Sequence, residues 1–238
     1  MNEIASPTQL SLGVTLRDDA TFDSFFAGFE SNTLVLEALG ALASGQERSS
    51  HVIWGAPGSG LSHLLQAVCH EAQSRERIVQ YLPMRDILGY AADDICEGLE
   101  ESDVVCVDGI DLICGSREWE VALFHLYNRL RDSGKAMLIS SHTSPPSLPI
   151  MLKDLKSRVL GSVVFHVTSL GDDEKVDALT KRAKMRGITM TEDVAKFIVS
   201  RTSRDMNHLF DVLNRLDEAS LQHQRKLTIP FVKETLHI

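Results

Sequence analysis

The eight residues GAPGSGLS, Gly55 to Ser62, carry the glycine spacing of a phosphate-binding loop, G-x-x-x-x-G-K-[ST], with one departure: leucine stands where the lysine should be. Glycines admit backbone angles closed to other residues. Successive N–H groups can then turn inward on phosphate oxygens, beside the positive end of the helix that follows. That cradle works without a cation. In such loops the lysine reaches the β- and γ-phosphates, and the next hydroxyl helps to hold magnesium. Leu61 gives up the first capacity and Ser62 keeps the second. The loss weighs more on a triphosphate than on a diphosphate, and most on the transition state for hydrolysis. The sequence therefore predicts a nucleotide binder with weak turnover of its own or none. Gly58, Ser59, Gly60, Leu61, Ser62 and the adjacent His63 are its candidate binding residues.

The other half of such a site is an apolar strand ending in a carboxylate. DVVCVDGID (103–111) supplies one, with Asp108 placed to share a magnesium ion with Ser62. An active hydrolase of this design has a second acid next, to orient water. Gly109 occupies that place, and Asp111 follows two residues later, where it can equally end a strand or cap a helix. An independent ATPase or kinase would need another cation to replace the lysine, with His63 and Arg204 within reach of the role. The nine histidines are scattered, with no pair at metal-ligand spacing beside a carboxylate or thiol cluster.

These residues need a scaffold that brings loop and acid together. Five short apolar, β-rich runs occur at 51–55, 77–84, 103–111, 135–142 and 162–170. Between them Leu61, Leu64, Leu65 and Val68 recur at helical spacing, as do Trp119, Leu123, Leu126, Tyr127 and Leu130. Strands apolar throughout, alternating with helices, predict an α/β fold with a parallel sheet covered on both faces. Beyond Leu170 the pattern is helical only, with acidic starts and basic ends that suit the helix dipole. Thr191 is a predicted N-cap there and Gly187 a predicted helix stop. The expected organisation is a flexible tail over 1–16, an α/β nucleotide-binding domain over 17–169 and a small all-helical lid domain over 170–238.

With 238 residues, 43% of them hydrophobic, the chain has material for a substantial core. Its net charge of −9 repels phosphate backbones, so sequence-specific DNA binding is not expected. Four cysteines without C-x-x-C spacing, three of them in apolar patterns, fit a reducing compartment. The N-terminus has no basic segment followed by an apolar run, and no stretch approaches the ~18 apolar residues that span a bilayer. The expectation is a cytoplasmic protein away from membranes.

With the loop, the acidic strand end, LISSH on the fourth strand, DLKSRVLGS and the helical lid, the chain resembles an AAA+ P-loop NTPase-like module. More narrowly it is similar to the DnaA family of bacterial replication initiators. TFDSFFAGFESNTL (21–34) is like the family's segment that precedes the loop and touches the base. Initiators continue into a basic helix-turn-helix domain, whereas this sequence stops at Ile238, and with TQLSLGV at its head it resembles a regulatory member of the family. The resemblance implies a negative regulator of DNA replication initiation, which docks on the DNA-loaded sliding clamp, the DNA polymerase III beta subunit. From there it would stimulate hydrolysis of ATP bound to the DnaA initiator.

On that resemblance Gln9, Leu10, Ser11 and Leu12 look like a clamp-docking peptide, the two leucines filling an apolar pocket and Gln9 bonding at its rim. Arg158, in LKSRV, aligns with the arginine finger that completes a neighbouring subunit's site. Where initiators place a nucleotide-sensing arginine in the lid, this sequence has Asn207, with Arg204 a turn earlier. Both departures from the initiator pattern point to a bound nucleoside diphosphate, ADP by preference, acting as a structural cofactor. Head-to-tail AAA+ stacking makes a homo-oligomer an open alternative. An adaptor that recruits other replication proteins would share the fold without the inhibitory outcome.

Overall fold

A computed structural model describes residues 16–202 and 206–238. Gln9, Leu10, Ser11, Leu12 and Arg204 lie outside the described residues, as does the side chain of Asn207. The elements run α1 (Glu30–Ser44), β1 (His51–Trp54), α2 (Leu61–Ser74), β2 (Val79–Pro83), α3 (Met84–Ile87), α4 (Ala92–Cys96), β3 (Val104–Asp108), α5 (Arg117–Asp132), β4 (Ala136–Ser141), α6 (Lys153–Leu160) and β5 (Val163–His166). Four helices follow: α7 (Asp172–Met185), α8 (Glu192–Arg201), α9 (Met206–His223) and α10 (Ile229–Leu236).

The five strands are all parallel, in the order β2-β3-β4-β1-β5. The chain leaves β1 for the far edge at β2, returns through β3 and β4, and closes the other side with β5. Alternation along each strand builds a core on both faces. Val105 and Val107 of β3 join Met137 and Ile139 of β4 under Leu123, Leu126 and Leu130 of α5. Val104 and Cys106, with Ala136 and Leu138, face the other way onto α1 and α2. The apolar runs are thus strands with two buried faces, as a parallel sheet requires.

The exception is β5. Val163 and Val164 each keep 41% of their surface exposed; β5 is an edge strand paired with β1 alone and, unlike the other edge, β2, buries none of its residues. The expected covering of the sheet on both faces fails there, and its apolar sequence does not show it.

The four C-terminal helices surround a separate apolar cluster, including Leu179, Ile198, Leu209, Leu213 and Phe231. Gly187 adopts φ +74° just past α7, a left-handed angle that suits glycine. Thr191 does sit at the N-cap of α8, but its side chain makes no capping hydrogen bond. That bond occurs instead at α10, where the Thr228 hydroxyl accepts from Phe231 N at 3.4 Å. The acidic-start pattern holds for α7 and α8 and is absent from the first turns of α9 and α10.

The free cysteines are Cys69, Cys96, Cys106 and Cys114, the first three buried. No helix among the described residues is long and apolar enough to cross a membrane. Because Leu213 is completely buried in the C-terminal cluster, Leu213→Ala should cost about 2–5 kcal/mol of stability, read as a shift in the urea unfolding midpoint.

Candidate nucleotide site

The loop from Gly55 to Gly60 joins the C-terminal end of β1 to the N-terminus of α2. Gly58 and Gly60 take φ +81° and +92°, angles that side-chain-bearing residues rarely adopt. Space excludes a side chain as well. A Cβ on Gly55 would lie 2.5 Å from the Val167 carbonyl, and one on Gly60 would lie 2.7 Å from the Phe25 ring. Gly60 is the N-cap of α2 and offers no side-chain cap, so the N–H groups of the first helical turn have no acceptor from that position. The Ser59 hydroxyl is buried without a hydrogen-bond partner among the described residues. Unspent donors at a helix N-terminus, on a backbone that tolerates only glycine, are what a phosphate group satisfies.

Leu61 contributes to this cradle through its main chain only. Its side chain is 3% exposed and packs into the cluster of Ile53, Leu64, Leu65 and Leu138. The residue therefore points into the core, and its assignment as a nucleotide ligand holds at most for its backbone N–H. Ser62 is exposed on the first turn of α2.

Asp108 ends β3 as expected. Its two carboxylate oxygens accept from the Ser140 and Tyr81 hydroxyls, each at 2.6 Å. Burial, together with the Asp108 charge, pushes the Tyr81 phenol well above its ordinary value, so Tyr81 is a fixed donor. Gln66 Nε2 donates to the Tyr81 oxygen at 3.3 Å, and Gln66 Oε1 accepts from Arg17 N at 2.9 Å. Asp111 lies in a 3-10 turn (Ile110–Ile113) and accepts from His142 N at 3.1 Å. It anchors the β4 exit, where the His142 ring lies 3.2 Å from the Gly55 carbonyl of the loop.

His63 is not a substitute cation. Its Nε2 lies 2.9 Å from the Thr21 carbonyl, which can only accept, so that nitrogen carries the hydrogen; Ser24 Oγ is 3.2 Å away. Burial lowers its pKa below the usual histidine value, outweighing the Thr21 carbonyl and the Asp19 charge. The imidazole is neutral at pH 7 and ties the segment before α1 to α2.

That segment forms one wall of an open cleft. Phe25 and Phe26 line it together with Gly58, Ser59 and Gly60, the Phe25 ring packing on Gly60, and Phe210 of α9 lines the side of the C-terminal helices. Asn32 fixes the floor: its Nδ2 donates to the Ala27 and Thr168 carbonyls at 2.7 and 3.0 Å, and its Oδ1 accepts from Thr168 N at 2.9 Å. The Arg182 guanidinium, on α7, lies 2.7 Å from Asp19 and packs over the Phe210 ring at 4.8 Å. This ion pair clasps the C-terminal helices to the segment before α1. Tyr81, Ser140, Asn32, Asp19 and Arg182 escaped the sequence reading, since each acts through a partner remote in the chain. The segment 21–34 was the one signal for the cleft's aromatic wall.

Comparison with known proteins decides the family. The family model for the bacterial DnaA ATPase domain matches residues 16–166, and that for the lid domain of Hda matches residues 172–236. The chain belongs to the DnaA family. The lid match makes it an Hda-like, DnaA-related AAA+ protein. Domain III of the Thermotoga maritima replication initiation protein DnaA superposes with a TM-score of 0.79 at 22% identity, over 94% of this chain and 98% of that one. AMPPCP-bound DnaA from Aquifex aeolicus gives 0.72 at 20%, over 86% and 67%. A Thermotoga maritima RuvB mutant gives 0.68 at 17%, over 93% and 72%. At these identities the superpositions establish the fold: a parallel AAA+ sheet flanked by helices, followed by a helical lid.

The lowered pKa of His63 has a pH consequence. A neutral-favouring fold is fully stabilised above the unfolded value near 6.5 and loses that contribution as pH falls through the folded pKa. The protein should therefore lose more stability between pH 7 and pH 5.5 than His63→Gln does, in urea titrations of both chains at each pH.

Proposed function

We propose that this Hda-like protein regulates replication initiation by completing the nucleotide site of the DnaA initiator, while its own site holds a diphosphate without turning it over. The reading is supported by an asymmetry between two positions. Leu61, where a cation would serve this chain's own nucleotide, is buried in the core. Arg158, on α6, is partly exposed, and its guanidinium has no hydrogen-bond or ion-pair partner among the described residues. That unpaired guanidinium is the observation that carries the proposal. An arginine supplied in trans to a γ-phosphate accelerates hydrolysis by ~10³ to 10⁵-fold, or about 4–7 kcal/mol of barrier.

For the resident nucleotide, ADP by preference, the fit rests on the orphaned Ser59 hydroxyl and the glycine-only cradle. Gly58, Ser59, Gly60 and the Leu61 and Ser62 main chain would hold the phosphates. Phe25 and Phe26 would cover the base, and Phe210 would sense it from the lid. Asn207 would offer an uncharged contact where initiators use an arginine. Ser62 and Asp108 present the oxygen donors that magnesium favours, and a bound ion would offset diphosphate charge. The two solved DnaA structures with AMPPCP support nucleotide binding in this fold. Partner delivery falls to Gln9, Leu10, Ser11 and Leu12, docked on the DNA-loaded sliding clamp, with two leucines as anchors.

The test adds the protein to ATP-bound initiator and DNA-loaded clamp and follows phosphate release. Arg158→Ala should remove the stimulation, by about a thousandfold or more, and leave clamp binding intact. Replacing Gln9, Leu10 and Leu12 by alanine should abolish clamp binding with an unchanged melting temperature. Normal stimulation by both variants would refute the proposal.

A further inference from the structure

Glu120 lies on α5, away from the nucleotide cleft, and its carboxylate is completely buried. A buried charge is retained at a cost unless hydrogen bonds replace its water. Here they do. Leu152 N donates at 2.7 Å, Met151 N at 3.0 and 3.1 Å to the two oxygens, and Gly115 N at 2.9 Å. Charge-assisted bonds of this kind are the stronger class. Two of the three donors belong to the residues that open α6. Leu152 is the N-cap of that helix and supplies no side-chain cap of its own, so Glu120 caps it from a neighbouring element.

We propose that Glu120 is the positioning residue for Arg158, setting through the N-terminus of α6 the angle at which the guanidinium meets a neighbour's γ-phosphate; this rests on the arginine-finger reading above. The geometry explains why one carboxylate matters. At eight residues, α6 is too short to hold its direction alone. Leu155 and Val159 bury its inner face, which holds it against the core and leaves its swing along the surface to its ends. Arg158 lies six residues beyond Leu152, about 9 Å along the axis. A tilt of about ten degrees at the cap moves it by roughly 1.5 Å, and a misplacement on the order of 1 Å can cost about a hundredfold in rate. The third donor, Gly115 N, ties the same carboxylate to the turn that leaves the Asp108 strand, so the cap is braced against the sheet.

The experiment measures phosphate release from ATP-bound initiator with DNA-loaded clamp, titrating the full chain as wild type, Glu120→Gln, Glu120→Asp and Arg158→Ala. The Glu120→Gln side chain presents an amide NH2 towards N–H donors and should lower the rate at saturation at least tenfold. The half-saturating concentration and clamp binding should stay as in the wild type, and amide exchange should quicken at Met151 and Leu152. Aspartate keeps the charge at shorter reach and should give an intermediate rate; it decides the matter if the glutamine variant does not fold. Full stimulation by Glu120→Gln or by Glu120→Asp overturns the positioning role. Normal stimulation by Arg158→Ala instead overturns the arginine-finger reading on which it rests.

Discussion

The burial of Leu61 constrains everything around the nucleotide cleft. Burying a leucine is worth roughly 1.5–3 kcal/mol, and this one fastens the first turn of α2 onto β1 and β4. A lysine in the same direction would carry an uncompensated charge into an apolar cluster. The side chain that would neutralise a γ-phosphate has thus been exchanged for one that stiffens the helix under the loop. What remains for phosphate is main-chain N–H, the helix terminus and the Ser59 hydroxyl. The missing cation costs a triphosphate more than a diphosphate, which is why the proposed reading prefers ADP.

A second constraint is the segment just before α1. Arg17 meets Gln66, Thr21 meets His63 and Asp19 meets Arg182 across the lid. Since Gln66 also bonds Tyr81, which bonds Asp108, this short stretch touches the acidic strand end, the helix after the loop and the lid together. Its aromatic residues at the same time wall the cleft. In the proposed reading a nucleotide there is a structural wedge between the sheet and the C-terminal helices, and the half-buried Arg158 guanidinium on α6, unpaired among the described residues, is left for a partner. Glycine at position 109 fits the same division, since no acid follows Asp108 to orient water.

Much of the scaffold was legible because its signals are local. Apolar runs marked the five strands, leucine spacing marked α2 and α5, and glycine spacing marked the loop. Contacts set by topology were not legible. Tyr81 reaches Asp108 only because β2 pairs with β3 in a register that aligns Pro83 with Asp108. Arg182 finds Asp19 across 163 residues, and the exposure of β5 is not written in its apolar residues. The sequence left His63 open as a cation only for an independent ATPase or kinase, and its neighbours make it a neutral donor. Nothing in the sequence announces that three backbone donors converge on Glu120. Thr191 matched a capping pattern, yet Thr228 makes the bond, since residue type does not decide whether a hydroxyl finds an orphan N–H.

The central claim is that this chain holds nucleotide through main-chain donors and leaves hydrolysis to a partner's site. The most direct measurement is phosphate release from saturating ATP by the purified protein, with neither initiator nor clamp present, alongside retention of labelled ADP through gel filtration. The account predicts release no faster than the buffer background and ADP that co-elutes with the protein. Sustained partner-free turnover, or failure to retain any nucleotide, would contradict it.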